Sequence, residues 1–309
     1  MEVLLQLGIF VVSLAALLKG SDWFIDSAEE IGLSFGISPF IIGLTIVAFG
    51  TSLPELATSI SSVIQGQSTI VIGNVVGSNI TNIALVLGLV AISIKQINLE
   101  YNIWHIDMPY LWGSAFLLYF TLQDQVFSIP EACLFLAALA IFLMYSFNNE
   151  RDEENDEKEK VGAKTYGLLI IGGAMVALGA DFTIKAISNL SLQAGISPET
   201  IALTVVAFGT SLPEIIVSIG AAKKGKTSIA VGNVLGSNIF NTYCVMAFSR
   251  FFGDLMIPDD ILTFSLPMMI VMTLLFGIVS NNKKITKWEG MMLIMFYVFY
   301  VMDLVNKSL

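Results

Sequence analysis

The residues of this chain that could bind an ion are concentrated in one nonapeptide, VAFGTSLPE, which occurs at residues 47–55 and again at residues 206–214. In both copies a proline and a glutamate interrupt a long apolar stretch, although an acidic side chain at the centre of a membrane helix costs about 2.5–3.5 kcal/mol. The proline removes a backbone donor and frees a carbonyl oxygen four residues earlier. The oxygen-bearing side chains are Thr51, Ser52 and Glu55 in the first copy, and Thr210, Ser211 and Glu214 in the second. Carbonyl, hydroxyl and carboxylate oxygens suit hard cations rather than zinc or copper, so the motif predicts a cation site inside a membrane.

A second duplicated motif adds serine and asparagine side chains. GNVVGSNITN begins at Gly73 and GNVLGSNIFN begins at Gly232, and both motif pairs are offset by 159 residues. Within each copy a serine and an asparagine four residues apart share one helical face; these residues are Ser78, Asn82, Ser237 and Asn241. Two roles stay open for them, cation binding and hydrogen bonding between helices. For Glu55 and Glu214 the alternative is a pair of structurally satisfied carboxyl groups, but duplication beside a proline favours the cation site.

The composition places these motifs in a helical membrane protein. Of the 309 residues, 55% are hydrophobic and 13% are charged, and the mean hydropathy is +0.80, which is more apolar than a soluble domain requires. No basic patch that would suit nucleic acid is present in the sequence. Cys133 and Cys244 both fall in apolar stretches, so we expect packing roles for them and no disulfide.

Apolar runs of membrane-spanning length predict ten transmembrane helices. They lie near residues 3–19, 40–64, 69–94, 103–121, 130–147, 165–187, 199–222, 227–250, 261–280 and 288–305. Because each copy of the duplicated sequence contains five spans, the second copy must cross the membrane in the opposite sense. The predicted fold is an all-α polytopic membrane protein of two inverted five-helix repeats, with proline-broken helices 2 and 7. The repeats occupy residues 1–147 and 165–309, and an acidic linker occupies residues 148–164.

The distribution of lysine and arginine predicts the orientation of the chain. With the N-terminus outside, 12 of the 15 basic residues lie on the cytoplasmic side, and Lys185, Arg250 and Lys307 lie outside. We therefore expect a multi-pass protein of the cell membrane with both termini outside and the linker in the cytoplasm. The apolar N-terminal stretch lacks a basic beginning, and Asp22 just beyond it has a counterpart in Asp181. We expect this stretch to be retained as the first transmembrane helix.

GTSLPE followed by GNxxGSN, present once in each half of the chain, closely resembles the α-repeats of the calcium/cation antiporter superfamily. The closest resemblance is to compact prokaryotic sodium/calcium exchangers, and it covers essentially the whole chain. It implies calcium ligands from the carboxylates of Glu55 and Glu214 and the carbonyl groups of Thr51 and Thr210. It also implies sodium ligands from Ala48, Ser52, Ser78, Ala207, Ser211 and Ser237, with Asn82 and Asn241 between them. Position 241 is aspartate in some relatives, including the potassium-dependent branch, so the asparagine here predicts that potassium is not required.

These observations predict a secondary active antiporter that exchanges sodium for calcium by alternating access around a two-glutamate site, with net charge movement. One alternative is a calcium/proton antiporter on the same scaffold, in which the glutamates bind protons in place of sodium. Another is a passive cation channel. The duplicated neutral oxygen donors favour sodium over protons, and the interrupted helices favour a transporter over a channel. We expect no enzymatic activity, no cofactor and no protein partner; the bound ions are Ca²⁺ and Na⁺, and the surroundings are the lipid bilayer.

Overall fold

The computed structural model describes residues 2–99, 101–148, 161–193 and 209–308, and most of these residues are helical. Helices suit an apolar chain because each backbone donor finds its acceptor within the same segment. The helices are α1 (Glu2–Ser34), α2 (Pro39–Ile64), α3 (Thr69–Ile94), α4 (Asp107–Thr121), α5 (Ile129–Asn148), α6 (Ala163–Gln193), α7 (Leu212–Lys223), α8 (residues 227–250), α9 (Ile261–Ser280) and α10 (Lys287–Ser308).

Short antiparallel strand pairs tie together the segments that connect the helices. The strands are β1 (Gln96–Asn98), β2 (Val126–Phe127), β3 (Leu255–Met256) and β4 (Lys284–Thr286). Strand β1 pairs with β4, with Ile97 opposite Ile285, and β2 pairs with β3, with Phe127 opposite Leu255. Each pair joins a connection in the first half of the chain to one in the second half.

Seven of the described helices are long and apolar enough to cross a membrane, by length and composition alone. They are α1, α2, α3, α5, α6, α9 and α10. Helices α4 and α7 are shorter, with 15 and 12 described residues, and asparagine and serine residues make α8 more polar. The prediction of an all-helical membrane protein is confirmed, whereas the count of ten membrane spans stays a prediction. Residues 149–160 of the linker and residues 194–208 at the start of the predicted seventh span lie outside the described residues.

Helix α2 is interrupted where the sequence predicts a break. Its regular hydrogen bonding ends at Thr51, and Ser52 has φ −86° and ψ 1° before the chain resumes as a helix with Pro54 in its first turn. Proline is tolerated there because the first N–H groups of a helix have no partner within it. Ser211 adopts nearly the same conformation, φ −86° and ψ 5°, immediately before α7. The two equivalent positions therefore share one local structure.

Helices α1 and α6, which correspond under the 159-residue offset, pack along each other in opposite directions. The hydroxyl groups of Ser13 and Thr183 lie 2.9 Å apart, and further along α1 the backbone of Leu17 meets Gly179. A Cβ atom on Gly179 would lie 2.9 Å from the Leu17 nitrogen, so glycine permits this approach. Rising residue numbers in α1 face falling numbers in α6, which is the relation that inverted repeats require.

Glycine also brings the first part of α2 against α8. A Cβ atom on Gly43 would lie 2.3 Å from the carbonyl oxygen of Ile229, and one on Gly236 would lie 2.1 Å from that of Leu44. Any larger side chain would force the two backbones apart. This close contact places the interruption in α2 beside the polar residues of α8.

Candidate functional site

Glu55 and Glu214 lie in the first turns of the helical segments that follow the two interruptions. This position favours a carboxylate because the N-terminus of a helix carries partial positive charge. Both side chains are 0% exposed. The Ser52 hydroxyl donates a hydrogen bond to Oε1 of Glu214 over 3.4 Å. Within the described part of the chain, both carboxylate oxygens of Glu55 lack a hydrogen-bond partner, and so does Oε2 of Glu214.

Several neutral polar atoms that the sequence analysis assigned to the site are also buried and unpartnered. Among the described residues, the side-chain atoms without a hydrogen bond include Oγ of Ser78, Oγ of Ser211, Oδ1 of Asn82, and both Oδ1 and Nδ2 of Asn241. Buried polar groups are nearly always hydrogen-bonded, and leaving one unpaired costs about 1–3 kcal/mol. The hydroxyl, amide and carboxylate oxygens among these atoms are the donors that calcium prefers.

Three further predicted ligands are in contact with one another. The Thr51 hydroxyl lies 3.1 Å from Oδ1 of Asn233, 3.2 Å from the Ala48 carbonyl oxygen and 3.4 Å from the Ser237 hydroxyl. The Ala48 carbonyl also accepts the backbone N–H of Ser52 over 3.0 Å. These contacts bring residues of α2 and α8 into one polar cluster. Ala207, the predicted counterpart of Ala48, lies outside the described residues.

Four asparagines that the sequence analysis did not assign to the site take part in its hydrogen bonding: Asn74, Asn79, Asn233 and Asn238. The Asn82 amide donates to Oδ1 of Asn238 over 3.1 Å, and the Asn79 amide donates to the Thr242 hydroxyl over 2.9 Å. The signal for these residues was present, because all four belong to the duplicated GNxxGSN motif. Asn74 and Asn233 precede the selected serines by four residues and lie on the same helical face, so extending the pattern backwards by one turn would have found them. Asn79 and Asn238 lie on the neighbouring face, which the pattern left out.

Asn82 and Asn241 lie at irregular turns. Helix α3 contains a π-helical turn at Thr81–Val86, and α8 contains one at Asn241–Val245. Such turns insert an extra residue into a helix and occur frequently at functional sites. The equivalent asparagines therefore occupy equivalent distortions in the two halves.

Asp107, at the start of α4, is a third fully buried carboxylate that the sequence analysis did not single out. Its counterpart under the offset is Leu266, so it lacks the duplication that marks the glutamates. No group of three or more histidine, cysteine, aspartate or glutamate side chains suited to a metal ion is found in the described ranges. The candidate site combines two carboxylates with hydroxyl, amide and carbonyl oxygens.

An all-helical membrane protein with a buried cluster of oxygen donors shared between duplicated halves has the architecture of a secondary transporter. The sequence model of the family described as sodium/calcium exchanger protein matches residues 5–148 and 164–305, so this chain belongs to that family. The resemblance inferred from the two motifs is thereby confirmed.

Relatives match the chain over nearly its whole length. It is 34% identical to the sodium/calcium exchanger MaX1 of Methanosarcina acetivorans, over 96% of this chain and 97% of the relative. It is 35% identical to an uncharacterized membrane protein of Methanocaldococcus jannaschii, over 97% of this chain and 98% of the relative. The structure of the sodium-calcium exchanger NCX_Mj soaked with 100 mM Na⁺ and 10 mM Sr²⁺ matches with a TM-score of 0.85 at 35% identity. That match covers 97% of this chain and 98% of the other.

Proposed function

We propose that this protein is a sodium/calcium antiporter whose transported ions bind in turn at the cluster around Glu55 and Glu214. The observation that carries the proposal is the presence of two fully buried carboxylates beside unpartnered buried oxygens from both halves of the chain. A cation would supply the missing partners. The family membership and the exchangers among the relatives support the same activity.

The charge of the cluster explains how two ions can be coupled. Glu55 and Glu214 together supply two negative charges, which one calcium ion neutralises. Sodium ions that occupy the surrounding hydroxyl and amide oxygens compete for the same carboxylates. An empty cluster would carry unpaired charge through an apolar barrier, so only the loaded protein changes the side to which the site opens. The two inverted repeats, residues 1–147 and 165–309, move around the site in this scheme, with the linker at 148–164 between them.

The cycle moves net charge in our proposal. Asn82 and Asn241 are neutral, so the fixed charge stays at that of the two glutamates. Three sodium ions would load the site with one positive charge more than one calcium ion does. Moving that charge across the membrane is worth about 2.3 kcal/mol per 100 mV. Calcium flux driven by sodium should therefore change with clamped potential, and equal rates at potentials of opposite sign would show an electroneutral cycle.

Calcium/proton exchange is the second candidate, because protonation would also relieve the unpartnered oxygens of Glu55. The unpartnered oxygens of Ser78, Asn82 and Ser211 favour sodium, since proton binding at the glutamates makes no use of them. The test is calcium uptake into proteoliposomes under a sodium, potassium or proton gradient, each imposed alone. Uptake with the sodium gradient only is expected. Uptake with the proton gradient only would replace sodium in the proposal, and uptake without any counter-ion gradient would indicate a channel.

The proposed orientation places both termini outside and the linker in the cytoplasm. It rests on the 12-to-3 division of basic residues. Its test is Asn155→Cys, in a background with Cys133 and Cys244 replaced by alanine, treated with a membrane-impermeant thiol reagent. The cysteine should react only after the cells are opened. Labelling in intact cells would reverse the orientation.

A further inference from the structure

Two reciprocal hydrogen bonds join the halves of the protein at the candidate site. Oδ1 of Asn233 lies 3.1 Å from the hydroxyl of Thr51, and Oδ1 of Asn74 accepts a hydrogen bond from the hydroxyl of Thr210 over 3.3 Å. Thr51 corresponds to Thr210 under the 159-residue offset, and Asn74 corresponds to Asn233. Each bond thus connects a threonine of one half to an asparagine of the other.

Each asparagine is also anchored within its own half. The amide nitrogen of Asn74 donates to the Ser59 hydroxyl over 3.0 Å and to the Glu55 carbonyl over 3.3 Å. The amide nitrogen of Asn233 donates to the Ser218 hydroxyl over 2.9 Å. These bonds point the amide oxygen of each asparagine towards the threonine of the opposite half. Ser59 and Ser218 are again counterparts, and both are fully buried.

The threonines lie directly before the two helix interruptions. Thr51 directly precedes Ser52, and Thr210 directly precedes Ser211, the two residues whose backbone departs from helical geometry. Side-chain hydrogen bonds must therefore contribute to fixing the backbone at these positions. The carbonyl groups of the same two threonines are proposed calcium ligands, and the glutamates follow four residues later.

We propose that Asn74 and Asn233 are positioning residues. Each holds the helix interruption of the opposite half, which carries proposed calcium ligands, at the distance that calcium binding requires. This inference rests on the proposed antiport. Calcium needs carboxylates from both halves at once, and the two bonds fix one half against the other beside those carboxylates. Losing either bond should weaken calcium binding. The turnover rate of the protein saturated with calcium should stay largely unchanged.

The two bonds are not equally protected. Thr51 and Asn233 are both 0% exposed, whereas Thr210 and Asn74 are partly exposed. A hydrogen bond is stronger where water cannot replace it. The Thr51–Asn233 bond should therefore contribute more to calcium binding than the Thr210–Asn74 bond.

The test compares Thr51→Val with Thr51→Ser, and Thr210→Val with Thr210→Ser. Valine removes the hydroxyl and keeps the backbone carbonyl, whereas serine keeps both. For each valine variant we expect the KM for calcium to rise about threefold to tenfold with kcat nearly constant, and the larger rise at Thr51. Each serine variant, which keeps the hydroxyl, should show a smaller rise in KM than the valine variant at the same position. Asn233→Leu, alone and combined with Thr51→Val, completes a double-mutant cycle, in which the loss in the double variant should be smaller than the sum of the two single losses because the two residues share one bond.

The outcomes separate this inference from the proposed function. Suppose that the wild-type protein exchanges calcium for sodium. If the valine and serine variants then behave alike, or if the losses in the double variant are additive, only the positioning role is overturned. A wild type that binds calcium in titration calorimetry but exchanges none would overturn the antiport, while the calorimetric affinities of the variants would still test the bond. If Thr51→Val does not fold, the partly exposed Thr210 pair gives the same comparison.

Discussion

The segment Leu53–Ile64 and its counterpart Leu212–Lys223 begin with the same interruption and carry equivalent glutamates, yet their surroundings differ. In the first segment Thr58 and Ser61 are exposed. Their counterparts are Val217, which is 0% exposed, and Gly220, where a Cβ atom would meet Ser21 of α1 at 3.2 Å. The duplicated sequence therefore forms one shared site, while the packing around it is open beside one segment and closed beside the other.

Ion pairs mark the closed side. Lys224 lies 2.9 Å from both Asp22 and Asp26 of α1, and Lys226 lies 2.5 Å from Asp26 and 2.8 Å from Glu29. Burial lowers the pKa of Lys226, but its hydrogen bonds to Asp26 and Glu29 outweigh that effect and raise the pKa overall. These pairs join the end of α1 to the loop between α7 and α8.

Among the described residues, the other half has no counterpart of this network. The positions equivalent to the two lysines are Gln65 and Gln67, which are neutral. The position equivalent to Asp26 is Lys185, which pairs with Asp181 of its own helix over 2.8 Å. Under the proposed orientation the closed side faces the cytoplasm and the exposed segment faces outside.

The largest expected effect concerns the two equivalent glutamates, one from each of the compared segments. Glu55→Gln and Glu214→Gln should each abolish sodium-driven calcium uptake, because glutamine keeps the shape and removes half of the charge that balances calcium. Uptake into proteoliposomes measures this. Asp254→Asn is a matched control, since that carboxylate is 85% exposed in a loop and should tolerate the change. Full activity in either glutamine variant would remove that glutamate from the site.

The next effect concerns the difference in burial between the equivalent residues Thr58 and Val217. In the background without native cysteines, Thr58→Cys should react rapidly with an impermeant thiol reagent, whereas Val217→Cys should be protected by its burial. Modification rates in opened cells, where the reagent reaches both faces of the membrane, measure the difference. Calcium-loaded and sodium-loaded samples extend the comparison to other stages of the cycle. Equal rates at the two positions under all these conditions would contradict an opening on one side.

A smaller effect is expected at the two asparagines that keep the site charge at its proposed value. Asn82→Ala should weaken calcium exchange less than either glutamine substitution, because a neutral ligand contributes less to binding a divalent ion.

Wild-type exchange should also need no potassium, since Asn241 is neutral where the potassium-dependent branch that the motifs resemble has a carboxylate. Replacing potassium by an organic cation tests this directly. A strict potassium requirement would contradict the role assigned to this position.

The smallest effect concerns the ion pairs. Lys224→Gln with Lys226→Gln gives this loop the glutamines of the first half and should loosen the closed side. Partly exposed pairs contribute about 0.2–1 kcal/mol each, and at about 0.2 kcal/mol each the four pairs together correspond to a rise of about fourfold in the labelling rate of Val217→Cys, which is the rise we expect. The rise should shrink at high salt, where the pairs of the parent are already screened. Lys223→Gln is the control, because Lys223 forms no ion pair with any described residue. An equal rise in that control would rule out these pairs as the cause.

The sequence by itself determined the class of protein and predicted the residues of the candidate site. A helix must be apolar over about 20 residues to cross a bilayer, so the spans stand out from the rest of the chain. Polar groups in such spans are costly, which makes Glu55, Glu214, Ser78 and Asn82 conspicuous without any knowledge of the fold. The 159-residue offset then related each residue to its counterpart.

Only the tertiary structure decided which groups meet. The Thr51–Asn233 and Thr210–Asn74 contacts join residues 182 and 136 positions apart, and no helical period links them. It also decided the different burial of Thr58 and Val217, because duplication copies the order of residues but not the neighbours that pack against them. Packing depends on every surrounding side chain at once, so two similar segments can form equivalent halves of one site and still differ in access to it.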